Sequence, residues 1–76
     1  MKDLIDYIAR ALVDAPDDVR VIEREERGRV VVRLEVAEND YGKVIGKGGR
    51  IAQSMRALLK VAAVRAEEYA SLEIGD

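Results

Sequence analysis

The residues predict a small α/β domain of the α+β kind, with a three-stranded sheet packed against helices. Three observations carry that prediction: a helical apolar stripe over residues 2–14, strand-period alternation over 30–36, and three glycines within 46–49 leading into a long apolar helix.

The elements follow in order. Leu4, Ile5, Ile8, Ala9, Leu12 and Val13 recur at helical spacing, which gives a helix over 2–14. Pro16 stops it, because the residue before a proline is pushed out of the helical region. Val19, Val21 and Ile22 suit a strand, and Glu25-Glu26-Arg27-Gly28 reads as a turn. Val30, Val32, Leu34 and Val36 then alternate with Val31, Arg33 and Glu35, so a hairpin occupies 19–36. Asn39 and Asp40 close it with side chains suited to cap the next helix. A short helical segment from Tyr41 to Ile45 reaches the loop 46–49, Gly46-Lys47-Gly48-Gly49. Beyond it Ile51, Met55, Leu58, Leu59, Ala62 and Ala63 mark one face of a helix over 50–66, and Ala57, Val61, Val64 and Ala66 make that helix apolar on more than one side. The excess fits either a self-association surface or a helix wedged between the sheet and the first helix. Ala70, Leu72 and Ile74, alternating with Ser71 and Glu73, give a closing strand over 69–74.

A chain of 76 residues is the length of a single domain, expected over 1–76. It contains neither His nor Cys, so imidazole acid–base chemistry, thiolate chemistry and nearly all zinc sites are excluded. The acidic neighbours Asp17-Asp18, Glu25-Glu26 and Glu67-Glu68 sit at turns or element ends and do not converge on one substrate, so neither a catalytic pair nor a metal pair is expected. No enzyme activity, cofactor or small-molecule substrate is predicted. No apolar run approaches the ~20 residues of a membrane span, and a soluble cytoplasmic domain is expected.

The net charge of −2 conceals a pattern. Residues 41–66 hold Lys43, Lys47, Arg50, Arg56, Lys60 and Arg65 and no acid, whereas the segments on either side are acidic. That block is a local field for an anion. Within it, the glycine loop lets another backbone approach closely, Lys47 projects from the turn, and the following helix begins there with free N–H groups and its positive dipole end. Together these suit a phosphate. Two common phosphate loops fail on spacing. Gly42 and Gly46 enclose three residues rather than the four of a P-loop, and Gly46, Gly48 and Gly49 lack the last glycine of a dinucleotide fingerprint.

The span from Tyr41 to Ile51 resembles the core of a KH domain. Val44, Ile45, Gly46 and Gly49 meet its Val-Ile-Gly-x-x-Gly-x-x-Ile signature, with Ala52 at the last position and Ile51 one residue earlier. The order α-β-β-α-(GXXG)-α-β is similar to the type II KH topology of bacteria. Length, the first helix, GKVIGKGGRI and the basic, Ala-rich helix resemble the small single-KH family called KhpA, also known as the YlqC type, over nearly the whole chain. The resemblance implies single-stranded RNA binding through the GXXG loop, which clamps about four nucleotides by their backbone. Lys43, Lys47 and Arg50 would supply charge, Gly46 and Gly49 would let the loop close on the backbone with Lys47 and Gly48 at its two variable positions, and Val44 and Ile45 would line an apolar groove for bases, with Arg56 further along the helix. Tyr7, Tyr41 and Tyr69 are the only aromatic residues, and Tyr41 reads as packed on the hairpin, so binding is expected to be weak and sequence-tolerant. The resemblance further implies an RNA chaperone or post-transcriptional regulator that acts as a homodimer or with a KhpB-like multidomain KH protein, linked to cell elongation and wall homeostasis. A competing reading is a protein-interaction module that uses the apolar 51–66 helix and has little affinity for RNA.

Overall fold

The computed structural model describes residues 1–75; residue 76, the last of the expected domain, lies outside the described residues. Its elements are α1 (Lys2–Leu12), β1 (Arg20–Glu26), β2 (Arg29–Glu35), α2 (Tyr41–Ile45), α3 (Arg50–Arg65) and β3 (Tyr69–Ile74), with 3-10 turns at Pro16–Asp18, Glu38–Asp40 and Lys47–Gly49. The sheet order is β1-β2-β3, antiparallel in the first pair and parallel in the second. A parallel pair needs a crossover, and here α2, the glycine loop and α3 provide it. That crossover places the loop at the end of the sheet where β3 finishes.

Alternation fixes which face is dry. Val30, Val32 and Leu34 of the central strand, with Leu72 of β3, pack in one cluster with Ile5 and Ala9 of α1, Val44 of α2, and Met55 and Leu59 of α3. The opposite face carries a charged network in which Arg24 pairs with Glu26 and Glu73, and Arg33 pairs with Glu35 and Glu73. Hydrogen bonds to Arg24 are the main cause that holds the Glu73 carboxyl below its ordinary value. Val31 lies on this charged side and is nevertheless buried, between Arg24 and Ser71 in the ladder. Arginine stems laid along an apolar side chain exclude water from it.

The structure moves several sequence boundaries. The helix expected over 2–14 ends at Leu12, and Val13 is already extended. The amides of Asp14 and Ala15 turn away and donate to the Asp40 carboxylate at 3.3 and 3.0 Å. Asp40 therefore does not serve α2 as the cap that its sequence position implied; among the described residues no side chain caps that helix. The hairpin turn is tighter than Glu25–Gly28, since β1 runs through Glu26 and only Arg27 and Gly28 remain, both with positive φ (53° and 78°). Such a two-residue turn matches the twist of the flanking strands. In α3 the buried positions are Ala52, Met55, Leu59 and Ala63, so Leu58, expected on the core face, is half exposed. The helix ends at Arg65, where the amides of Glu67 and Glu68 bond to the carbonyls of Val64 and Ala63 in a Schellman cap. Glu67 occupies its left-handed position at φ 57°.

Candidate functional site

The glycine loop is built from its neighbours inward. Three contacts fix α2, the short helix that delivers it. Val44 is fully buried in the core. The Tyr41 hydroxyl donates to the Gly75 carbonyl beyond β3, and the ring packs against the core cluster. Lys43 lies 2.9 Å from Asp14 and 3.5 Å from Asp40, which ties α2 to the end of α1. Burial pushes the Asp40 carboxyl up, but the amides of Ala15 and Asp14 together with Lys43 outweigh it and hold the group below its ordinary value.

Gly46 then makes the turn. Its backbone sits at φ 77°, ψ 171°, a region reserved in practice for glycine. A Cβ at this position would also lie 2.6 Å from Cγ1 of Ile51. Ile51 thus fills the space that a side chain at 46 would need, while Ala52, the last position of the sequence signature, faces the core. Gly48 and Gly49 also have positive φ (65° and 77°) and open space around them. Among the described residues, the amides of Lys47 and Gly48 donate to no backbone carbonyl, whereas Gly49 bonds back to Gly46. Gly49 is the N-cap of α3 and brings no side chain, so among the described residues no side chain caps this 16-residue helix, and the Arg50 amide bonds back to the Lys47 carbonyl across the turn.

The predicted site residues divide into two groups. Lys47, Gly48 and Arg50 are exposed together at the loop, with Gly49 half-buried and Ile45 at 40% exposure beside them. Arg56 stands further along α3, roughly 9 Å up the axis from Arg50 by the 1.5 Å rise per residue. Lys47, Arg50 and Arg56 have no ion-pair partner among the described residues. The other group is committed elsewhere. Val44, expected to line a groove, is buried because α2 needs an anchor in the core, and Lys43, expected to face a phosphate, is engaged by two carboxylates.

Residues of β3 that the sequence alone did not single out complete the surface beside Arg56. A cleft of about 240 Å³ separates α3 from β3, lined by Arg56, Leu59, Lys60, Ala70, Ser71 and Leu72. β3 is an edge strand, so half of its backbone N–H and C=O groups have no ladder partner and are available for polar ligands. The parallel pairing of β3 was the missing signal, since without it Lys60 and Ser71 have no reason to meet.

Comparison with known proteins finds a match to the family described as KhpA/KhpB, KH domain, over residues 2–74. The chain is 46% identical over 74 residues to the RNA-binding protein KhpA of Clostridium acetobutylicum, covering 97% of this chain and 99% of that one. It is 48% identical over 75 residues to the RNA-binding protein KhpA of Treponema pallidum, covering 99% and 94%. With the RNA-binding protein KhpA of Bacillus subtilis the identity is 43% over 76 residues, covering 100% and 94%. Among solved structures, Era in complex with MgGDPNP and nucleotides 1506–1542 of 16S ribosomal RNA has a similar fold, with a TM-score of 0.57 at 19% identity. The match covers 96% of this chain and spans 28% of the Era chain.

Proposed function

The chain belongs to the KhpA/KhpB KH-domain family, and from that premise we propose that it binds single-stranded RNA through the loop Gly46–Gly49 and the cleft between α3 and β3. One observation carries the reading: among the described residues, amides of Lys47 and Gly48 that donate to no backbone carbonyl, an α3 N-terminus without a side-chain cap, and the cations Lys47 and Arg50 without an ion-pair partner all surround one turn whose glycines present no side chain. That set suits a phosphodiester backbone, which offers anionic oxygens at close range. Arg56 and Lys60 extend the positive track along the cleft, and Ile45, 40% exposed, offers apolar contact to bases. The names of the relatives, all RNA-binding proteins, support the same ligand. The protein acts here as a non-catalytic RNA chaperone or post-transcriptional regulator in the cytoplasm. Among the described residues no helix is long and apolar enough to cross a membrane.

The test is an amide NMR titration with a short unstructured RNA. The account expects the largest shift changes at Lys47–Arg50 and along Arg56, Lys60 and Ala70–Leu72. Changes confined to α1 or to the charged sheet face would remove the reading.

A second reading concerns partners and rests on a separate observation. Leu58, Val61 and Val64 are 50%, 58% and 68% exposed along one side of α3. In an isolated small domain these side chains remain in water, so we propose that this stripe pairs with a second copy or with the KH domain of a KhpB-like protein, giving two loops in one particle and avidity for RNA. A link to cell elongation and wall homeostasis would run through that assembly. Sedimentation of the parent beside Val64→Glu decides it. A parent that stays monomeric at all working concentrations, alone and with such a partner, would sink the interface.

A further inference from the structure

The cleft beside α3 does not stop at the middle of β3. A second hollow of about 320 Å³ continues it, with Arg29, Lys60, Val64, Glu68, Tyr69 and Ala70 among its lining residues. The two hollows share Lys60 and Ala70. β3 starts at Tyr69 and its far end reaches the Tyr41 contact beside the loop-bearing helix. At ~3.3 Å per residue, the strand spans about 17 Å between Tyr69 and Ile74.

Tyr69 is 76% exposed although it stands on a strand. Its partner across the ladder is Arg29, and Lys60 lines the same hollow. Neither cation has an ion-pair partner among the described residues. An exposed aromatic ring that lines one hollow with two cations, neither of them paired among the described residues, matches what a nucleotide requires. The ring offers a face to a base, and the cations face the adjoining phosphates. Glu68 lines the same hollow and disfavours phosphate beside itself, so Arg29 and Lys60 are the anion contacts.

We infer that Tyr69 is a stacking platform for a nucleobase of the same RNA strand beyond the segment held by the loop, with Arg29 and Lys60 contacting its phosphates. The inference rests on the reading of the loop as an RNA clamp. It predicts a footprint longer than the ~4 nucleotides that a GXXG loop clamps.

The experiment compares two labelled oligouridines, of about four and about eight nucleotides, by fluorescence anisotropy with the parent, Tyr69→Ala and Tyr69→Phe. The parent is expected to bind the longer oligomer more tightly. Tyr69→Ala should lose about tenfold on the longer oligomer, which is ~1.4 kcal/mol and within the range of one stacked base. It should lose nothing on the shorter one, and Tyr69→Phe should keep both affinities. Tyr69→Ala that binds the longer RNA like the parent overturns the inference alone, as does an equal loss on both oligomers. A Tyr69→Ala protein that sediments as a smaller species would assign the ring to a protein contact instead. A parent that binds neither oligomer overturns this inference together with the loop reading.

Discussion

Replacing Gly46 by alanine should be the most damaging single change in the loop, and the structure gives its size. The position combines two independent costs. Its backbone, at φ 77° and ψ 171°, is one that non-glycine residues avoid, at roughly 1–3 kcal/mol. The new Cβ would approach Cγ1 of Ile51 to 2.6 Å and its Cβ and Cδ1 to 3.0 Å, an overpacking that typically costs about 1–3 kcal/mol. The sum of roughly 2–6 kcal/mol compares with a total stability of about 4–11 kcal/mol at the usual value per residue for this length. Gly48 is the internal control. It also has positive φ, but in the left-handed helical region and with open space around it. Alanine there should cost about 1–2 kcal/mol, the left-handed penalty alone, with no steric contribution beside it. Urea unfolding followed by circular dichroism measures both variants. The expected gap is the steric part, about 1–3 kcal/mol, equal to a melting difference on the order of 4–24 °C for a domain of this size. Ile51→Ala isolates the steric part: the double variant Gly46→Ala/Ile51→Ala should be less unstable than the sum of its singles. Equal destabilisation by Gly46→Ala and Gly48→Ala, or strict additivity with Ile51→Ala, would refute the packing argument.

Three further outcomes follow from the same contacts. Asp40→Asn should destabilise the fold at neutral pH. The folded carboxyl sits below its ordinary value of 3.8, so its contribution is complete above that value and is lost as pH falls through the folded one. Acid titration of unfolding should therefore show parent and variant converging below pH 3.8, and a difference that grew in acid would contradict the assignment. Glu67→Gly should stabilise by about 0.5–1 kcal/mol, because glycine relieves the left-handed strain at the helix cap; an unchanged denaturation midpoint would count against it. Lys47→Ala should flatten the salt dependence of RNA binding by ~0.7 in log–log slope, one phosphate contact. Lys43→Ala should leave that slope unchanged, because Lys43 is held by Asp14 and Asp40.

Much of this molecule is legible in its sequence, and the exceptions share a cause. Strand alternation at Val30, Val32 and Leu34 and the glycine spacing at 46–49 are local signals, and the structure bears out the order of elements they predict. The loop itself forms where the glycines stand. What escaped was set by partners distant in the chain. Asp40 has the composition of a helix cap, yet it accepts from amides 25 and 26 residues earlier and ends α1 instead. Lys43 and Val44 lie inside the loop motif, but a carboxylate from another element holds one and the core holds the other. Leu58 fits the helical stripe and still faces water, because the sheet covers only the Ala52–Met55–Leu59–Ala63 side. The cleft residues Lys60 and Ser71 come together only through the parallel pairing of β3 with β2.

The central claim is that the turn at 46–49 grips an RNA backbone, and one comparison tests it most directly. Labelled single-stranded RNA is titrated across a salt series with the parent and with Lys47→Asp/Gly48→Asp. Both substitutions fall on exposed positions with room for a side chain, and aspartate tolerates the left-handed backbone at Gly48 better than most residues. The account predicts parent binding that weakens with salt at a slope of roughly −2 to −3, the value for about three to four phosphates on a single strand. It also predicts no measurable binding by the double variant with its circular dichroism spectrum intact. A folded double variant that bound RNA as tightly as the parent, with the same slope, would contradict it.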